Sequence, residues 1–333
     1  MRFYIVPCKD DSYGFVPGYQ PMKPWPSLAG KAFCLKDNTR PAETLFFFDA
    51  MPSNDAAPEA GISDPPSPVF VLIHGLGDEA DSWRHLIPLL NAHGFRVLAP
   101  DLPGFGRSVA AGKISIKGHV AAVLKLIEAA ALPPSGHPDK APPVFLSGNS
   151  MGAVIAEAAA IQKPTLVRGL VLLDGSIPGG PSNPGLFALA RLLFSRKWYR
   201  AYRDNPEAAW LSLYPYYADL DALPPADKDF LWQRVMARVE SPSQEQAFFA
   251  TQRSLVRMYL TGVSRIARGI QSYKGKILLI WGGKDRIIPL SSASVFMTLR
   301  PDAKLEIIPG AGHLPHQEKP EELARIMAEF GRG

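Results

Sequence analysis

The stretch VFLSGNSMGAVIAEAAA, Val144 to Ala160, changes character at its centre. It opens as a short apolar run suited to a strand, passes Ser150 between Gly148 and Gly152, and closes in alanine-rich sequence of high helix propensity. A serine at such a seam sits at the carboxyl end of a strand and at the start of a helix.

The same alternation runs outward in both directions. Before the seam, VFVLIHG (69–75) reads as a strand, DSWRHLIPLLNAHG (81–94) as a helix with a terminal glycine, FRVLAPD (95–101) as a strand and IKGHVAAVLKLIEAAAL (116–132) as a helix. After it come VRGLVLLDG (167–175), KILLIWGGKD (276–285), SASVFMTLR (292–300), KLEIIPG (304–310) and PEELARIMAEFG (320–331). Strands apolar on both faces that alternate with amphipathic helices predict a mostly parallel sheet covered on both sides, an α/β fold. In such sheets ligands sit beyond the carboxyl ends of the strands.

Three regions follow from the rhythm. Residues 66–175 and 272–333 form the α/β core. Residues 176–271 lack strand rhythm and are expected to form a helical cap, crowded with Trp198, Tyr199, Tyr202, Trp210, Tyr214, Tyr216, Tyr217, Phe230, Trp232, Phe248 and Phe249. One helix start is legible there: Ser241 as N-cap, Pro242 in the first turn and Gln244 completing a capping box. Residues 1–65 are an extension of edge strands and proline-rich loops, in which AFCLKD pairs with ETLFFFDA.

Composition narrows the function classes. A chain of 333 residues, 47% hydrophobic and 20% charged, buries a substantial core. Its 36 basic and 31 acidic residues are interspersed without a nucleic-acid motif, so no nucleic-acid partner is expected. No apolar run reaches the ~18 residues a membrane span needs. The first apolar run breaks at Pro7 and meets Lys9, Asp10 and Asp11, unlike a secretory signal, which leaves the cytoplasm as the default location. Two cysteines, Cys8 and Cys34, make no disulfide framework; two free thiols are expected, with a single bridge between them the open alternative. Neither oligomeric state nor substrate is written in these features.

Reading only the strand ends leaves His74, Gly75, Leu76 and Gly77, then Asp101, Ser150, Asp174, Asp285 and His313. A serine hydroxyl is a weak nucleophile until a neighbouring base takes its proton, and that base needs an acid to orient it. Ser150, Asp285 and His313 supply the three types in the chain order serine, acid, base.

These segments resemble the α/β-hydrolase-fold serine hydrolases, esterase- or lipase-like with a cap. GNSMG fits their nucleophile elbow G-x-S-x-G, HGLG the oxyanion loop, DLPGFGRS the loop after the next strand, WGGKD the acid loop and GAGHLPHQEKPEE the base loop. The resemblance implies Ser150 as nucleophile, His313 as base and Asp285 as acid, with Asp174 the rival acid and His316 the rival base. It implies an oxyanion hole from the backbone amides of Leu76 and Met151, with His74, Gly75, Gly77, Gly148 and Gly152 in support, and His74 and Asp101 as structural residues. The chemistry implied is carboxylic-ester hydrolysis of a small molecule carrying a medium-sized apolar acyl group, through an acyl-serine, without metal or organic cofactor. Ser150 argues against the branches with aspartate at the elbow.

Two alternatives remain. GNSMG also resembles the elbow of the carbon-carbon hydrolases of meta-cleavage products, although Leu314 stands where those enzymes place a tryptophan. A ligand-binding protein can also keep a triad on this scaffold. Arg196, Arg200 and Arg203 share one predicted helix face, which fits a solvated basic surface, a lipid surface or an anionic substrate.

Overall fold

The computed structural model describes residues 3–7, 32–37, 40–52, 67–110, 112–131, 141–177 and 196–333. One nine-stranded sheet organises the chain, in the order β1 (Phe3–Pro7), β2 (Ala32–Asp37), β3 (Arg40–Ala50), β5 (Arg96–Pro100), β4 (Val69–Ile73), β6 (Val144–Asn149), β7 (Gly169–Leu173), β8 (Lys276–Gly282), β9 (Lys304–Ile308). β1 pairs antiparallel with β2, β2 with β3 and β3 with β5, while every pairing from β5 to β9 is parallel. AFCLKD does pair with ETLFFFDA, with Leu35 opposite Leu45. The N-terminal extension therefore supplies three strands of the sheet. Cys8 and the side chain of Cys34 lie outside the described residues.

The apolar runs are explained by burial on both faces. Every residue of β4, β6 and β7 is buried, and side chains alternate between layers. Val69, Val71 and Ile73 face one layer, together with α2 (Ile116–Leu126), α3 (Met151–Gln162) and Ile266 and Ile270 of α8 (Val263–Ser272). Phe70 and Leu72 face the other, with Leu86, Ile87 and Leu90 of α1 (Leu86–Ala92) and Leu323, Ala324 and Met327 of the helix Pro320–Arg332. β9 closes the far edge and exposes Lys304 and Glu306, charges that discourage edge-to-edge pairing.

Between β7 and β8 the described chain holds α4 (Arg196–Asp204), α5 (Pro206–Leu211), α6 (Pro225–Glu240), α7 (Pro242–Thr261) and α8, and no strand. The boundary expected at residue 271 falls inside α8, which packs on the sheet; Leu255 and Tyr259 of α7 join the same layer. Absence of strand rhythm marks helices but does not separate those over the strand ends from those against a sheet face.

Two local expectations gain detail. Ser241 Oγ accepts from the Gln244 amide at 3.4 Å, but the reciprocal half of the capping box is replaced: the Ser241 amide donates to Arg238 O and Gln244 Nε2 donates to Gly106 O. The basic face of α4 converges on one buried carboxylate, since Arg200 and Arg203 reach Glu245 at 2.9 and 2.8 Å and Arg196 at 3.4 Å. Arg196 and Arg200 remain exposed, so the face is solvated as expected and at the same time forms a junction of α4 with α7. The side chain of Trp198 lies outside the described residues.

Glu157, on α3 beneath the sheet, is fully buried; its Oε2 accepts from the Ile177 amide at 2.9 Å, and Oε1 has no partner among the described residues. Burial pushes its carboxyl up to about 8, the Ile177 amide opposing. The unfolded chain ionises near 4.5 while the fold holds the proton. Glu157's contribution is full below pH 4.5 and is lost as pH rises toward 8. Urea unfolding of wild type and Glu157→Gln at pH 5 and pH 8 checks this: wild type should lose a few kcal/mol more than the variant across that interval. Parallel losses in the two proteins would disprove it.

Candidate active site

Ser150 occupies the single residue between β6 and α3. Its backbone has φ 55° and ψ −115°, a region that an L-residue enters only under constraint. The constraint is visible. The Ser150 amide donates to Leu173 O at 2.8 Å, and three glycines make room around the turn. A Cβ at Gly148 would lie 2.1 Å from Gly152 C, one at Gly152 2.0 Å from Ile73 O, and one at Gly175 2.7 Å from Ser150 O. The hydroxyl makes no helix-capping bond, so it is not engaged as an N-cap.

His313 lies on the loop after β9 and is buried. Its Nδ1 is 2.8 Å from Asp285 Oδ2, on the loop after β8. Asp285 is itself fixed: Oδ1 accepts from the amides of Ile287 at 2.7 Å and Ile288 at 3.0 Å. The base loop is pinned by its backbone, with His313 N donating to Tyr216 O at 2.8 Å and Asn149 Nδ2 donating to His313 O at 2.9 Å. Asn149, the variable residue before the serine in the elbow, went unnoticed in sequence. So did Glu318, which accepts from the amides of Gly312 and Ala218, each at 2.7 Å, tying that loop to the helical insertion. Nothing in a single sequence distinguishes such residues from solvated ones.

The rival histidine faces elsewhere. His316 is buried against Trp83 with ring centroids 4.2 Å apart, its Nε2 is 2.8 Å from Ser82 Oγ, and burial holds its pKa down at about 3. Asp174 follows β7, also at positive φ, and packs beside Asp285 and His313.

The loop carrying Gly75, Leu76 and Gly77 is held from below and above. Below, His74 Nε2 accepts from the Leu102 amide at 2.9 Å, so Nδ1 carries the proton and donates to Gly75 O at 2.8 Å. Burial lowers its pKa, keeping the ring neutral. Asp101 accepts from the Ala80 amide and from Arg107, each at 2.7 Å. Above, Arg238 of α6 donates to Gly77 O, Arg234 pairs with Glu79 and Asp81, and Arg84 reaches Asp227 at 2.7 Å. Buried ion pairs thus fasten α6 to the segment that follows β4.

Ser150, His313, Gly75, Leu76 and Gly77 line a common cavity of about 300 Å³, at the small end of ligand sites. Met151 follows Ser150 at the first position of α3, where an amide has no intrahelical acceptor. Tyr199, Tyr202, Tyr216, Tyr217 and Phe248 form much of the wall. Trp210, Tyr214 and Phe230 instead pack among the insertion's own helices, as does Phe249 against Tyr199. The wall aromatics belong to the same packed clusters, so they serve as wall and core at once.

A model of the alpha/beta hydrolase family matches residues 70–326. The chain belongs to the alpha/beta hydrolase family. A 2-hydroxy-6-oxo-6-phenylhexa-2,4-dienoate hydrolase of Burkholderia cepacia is 27% identical over 267 residues, covering 78% of this chain and 86% of that protein. A pimeloyl (acyl-carrier protein) methyl ester esterase of Methylococcus capsulatus is 27% identical over 268 residues, covering 79% and 94%. In fold, the chain resembles Cfl2 of Burkholderia cenocepacia, with TM-score 0.71 at 21% identity over 94% of this chain and 100% of that one. The expected fold is thus met, with the sheet flanked by helices on both faces. Among the described residues, no helix is long and apolar enough to cross a membrane.

Proposed function

We propose that the protein hydrolyses carboxylic esters of small molecules through an acyl-serine intermediate, with Ser150 as nucleophile, His313 as base and Asp285 as the acid that orients it. The observation that carries this reading is the strained Ser150, sharing a cavity with a histidine whose other nitrogen is 2.8 Å from a buried carboxylate.

Ser150 Oγ attacks the ester carbonyl as its proton passes to His313 Nε2. Asp285 holds the proton on Nδ1 and stabilises the imidazolium. The amides of Leu76 and Met151 receive the oxyanion, each donor being worth about 3 kcal/mol of barrier. His313 then protonates the departing alkoxide, and a water molecule, deprotonated by the same imidazole, releases the acid and restores Ser150. The helices of residues 176–271 over the strand ends act as the cap. A fluorophosphonate probe should label Ser150, located by peptide mapping; an unlabelled Ser150 in folded protein would leave a ligand-binding role instead.

The aromatic wall and small volume support a medium-sized apolar acyl group. Across p-nitrophenyl esters of increasing chain length, kcat/KM should rise from acetate to a medium chain and then fall. Preference for acetate over every longer ester would reject this part of the reading.

Carbon-carbon hydrolysis of a dienoic diketone acid is the second reading, favoured by Arg238, a cation in the cavity wall suited to a carboxylate. Bleaching of a coloured dienoic ring-fission product by the enzyme, without ester turnover, would select it.

A further inference from the structure

Asp174 has no role in the steps above, yet its carboxyl is fully buried beside the two groups that act on Ser150. Its amide donates to Ile280 O at 3.0 Å and its Oδ1 accepts from the Gly282 amide at 2.7 Å. Its Oδ2 has no donor among the described residues. One side-chain atom from each of Asp174, Asp285 and His313 lies within 4.8 Å of the others.

Two carboxylates in so dry a site cannot both be ionised, and the donors around them decide which keeps its charge. Asp285 receives three: the amides of Ile287 and Ile288 and the Nδ1–H of His313. Asp174 receives one. We propose that Asp174 is a neutral carboxylic acid that donates its proton from Oδ2 to Asp285, a positioning residue that sets how strongly Asp285 holds His313. Burial, followed by the charge of Asp285, pushes the Asp174 carboxyl well above the usual carboxylate range; the Gly282 amide opposes this, and the charge of Glu318 adds to it. The backbone at Asp174 is left-handed, φ 48°, a conformation that aspartate, asparagine and glycine tolerate best.

Asp174→Asn is nearly isosteric: its Nδ2 can give Asp285 the same hydrogen bond while Oδ1 still accepts from Gly282. Asp174→Gly removes the donor and keeps the backbone at ease. For the kinetic arm, which rests on the ester-hydrolase reading, Asp174→Asn should keep kcat/KM within about threefold, with the acid limb of its pH profile unmoved. Asp174→Gly should lose tenfold or more, and its acid limb should move to higher pH, because Asp285 without its donor holds the His313 proton more tightly. Asp174→Asn as damaging as Asp174→Gly would overturn the proposal, for the negative charge would then be what matters. A second arm needs no activity. The infrared difference spectrum of wild type minus Asp174→Asn at pH 7 should contain the C=O stretch of a protonated carboxylic acid, and a difference holding only ionised-carboxylate bands would overturn the proposal even if esters are never substrates.

Discussion

Replacing Ser150 by alanine is expected to lower kcat for ester hydrolysis by about five to six orders of magnitude, the loss that removal of a serine nucleophile brings when the rest of the triad is left idle. The effect is chemical and not structural. Alanine keeps the Cβ, the φ of 55° is imposed by the surrounding glycines and by the bond to Leu173 O, and the hydroxyl makes no capping bond that α3 would lose. Circular dichroism and thermal unfolding should therefore match wild type, and fluorophosphonate labelling should vanish. Turnover above about 1% of wild type, in protein free of contaminating esterase, would reject the acyl-serine mechanism.

The largest effect on stability is expected at Arg234. Its guanidinium is buried, pairs with Glu79 and lies 3.2 Å from Asp81, which also pairs with Arg107. Arg234→Met conserves much of the volume but takes the cation from a group of buried acids, and breaking a buried pair in this way costs about 3–5 kcal/mol. Denaturant unfolding measures the loss. Adding Glu79→Gln should return part of it, since the uncompensated charge disappears with its partner; a loss below about 1 kcal/mol, or no recovery in the double variant, would show that Glu79 and Asp81 are compensated elsewhere. Activity should fall as well, because Arg238, one turn along α6, holds Gly77 O in the loop that carries Leu76.

The order of strands and helices in the core was legible because each buried strand is an uninterrupted apolar run and each helix shows its own period. So was the serine elbow, because glycine is needed where a Cβ would lie about 2 Å from backbone atoms. Legibility faded in residues 176–271. There, the same tyrosines and phenylalanines serve as cavity wall and as packing between helices, and their periodicity does not distinguish the two. The convergence of Arg196, Arg200 and Arg203 on Glu245 was hidden for the same reason: the face of a helix is local information, while the acid that meets it lies more than 40 positions away.

By itself, then, the sequence determined the α/β layering and the residue types at the strand ends, since backbone hydrogen bonding, side-chain period and the steric need for glycine are all local. Only the tertiary structure decided which acid and which histidine meet. Asp285 and Asp174 both follow strands, and His313 and His316 are three residues apart, yet Asp285 Oδ2 is 2.8 Å from His313 Nδ1 while His316 is turned toward Ser82. The physical reason is that a charge pair depends on distance and burial across β7, β8 and the loop after β9. Those are set by the packing of the whole sheet and not by any one segment.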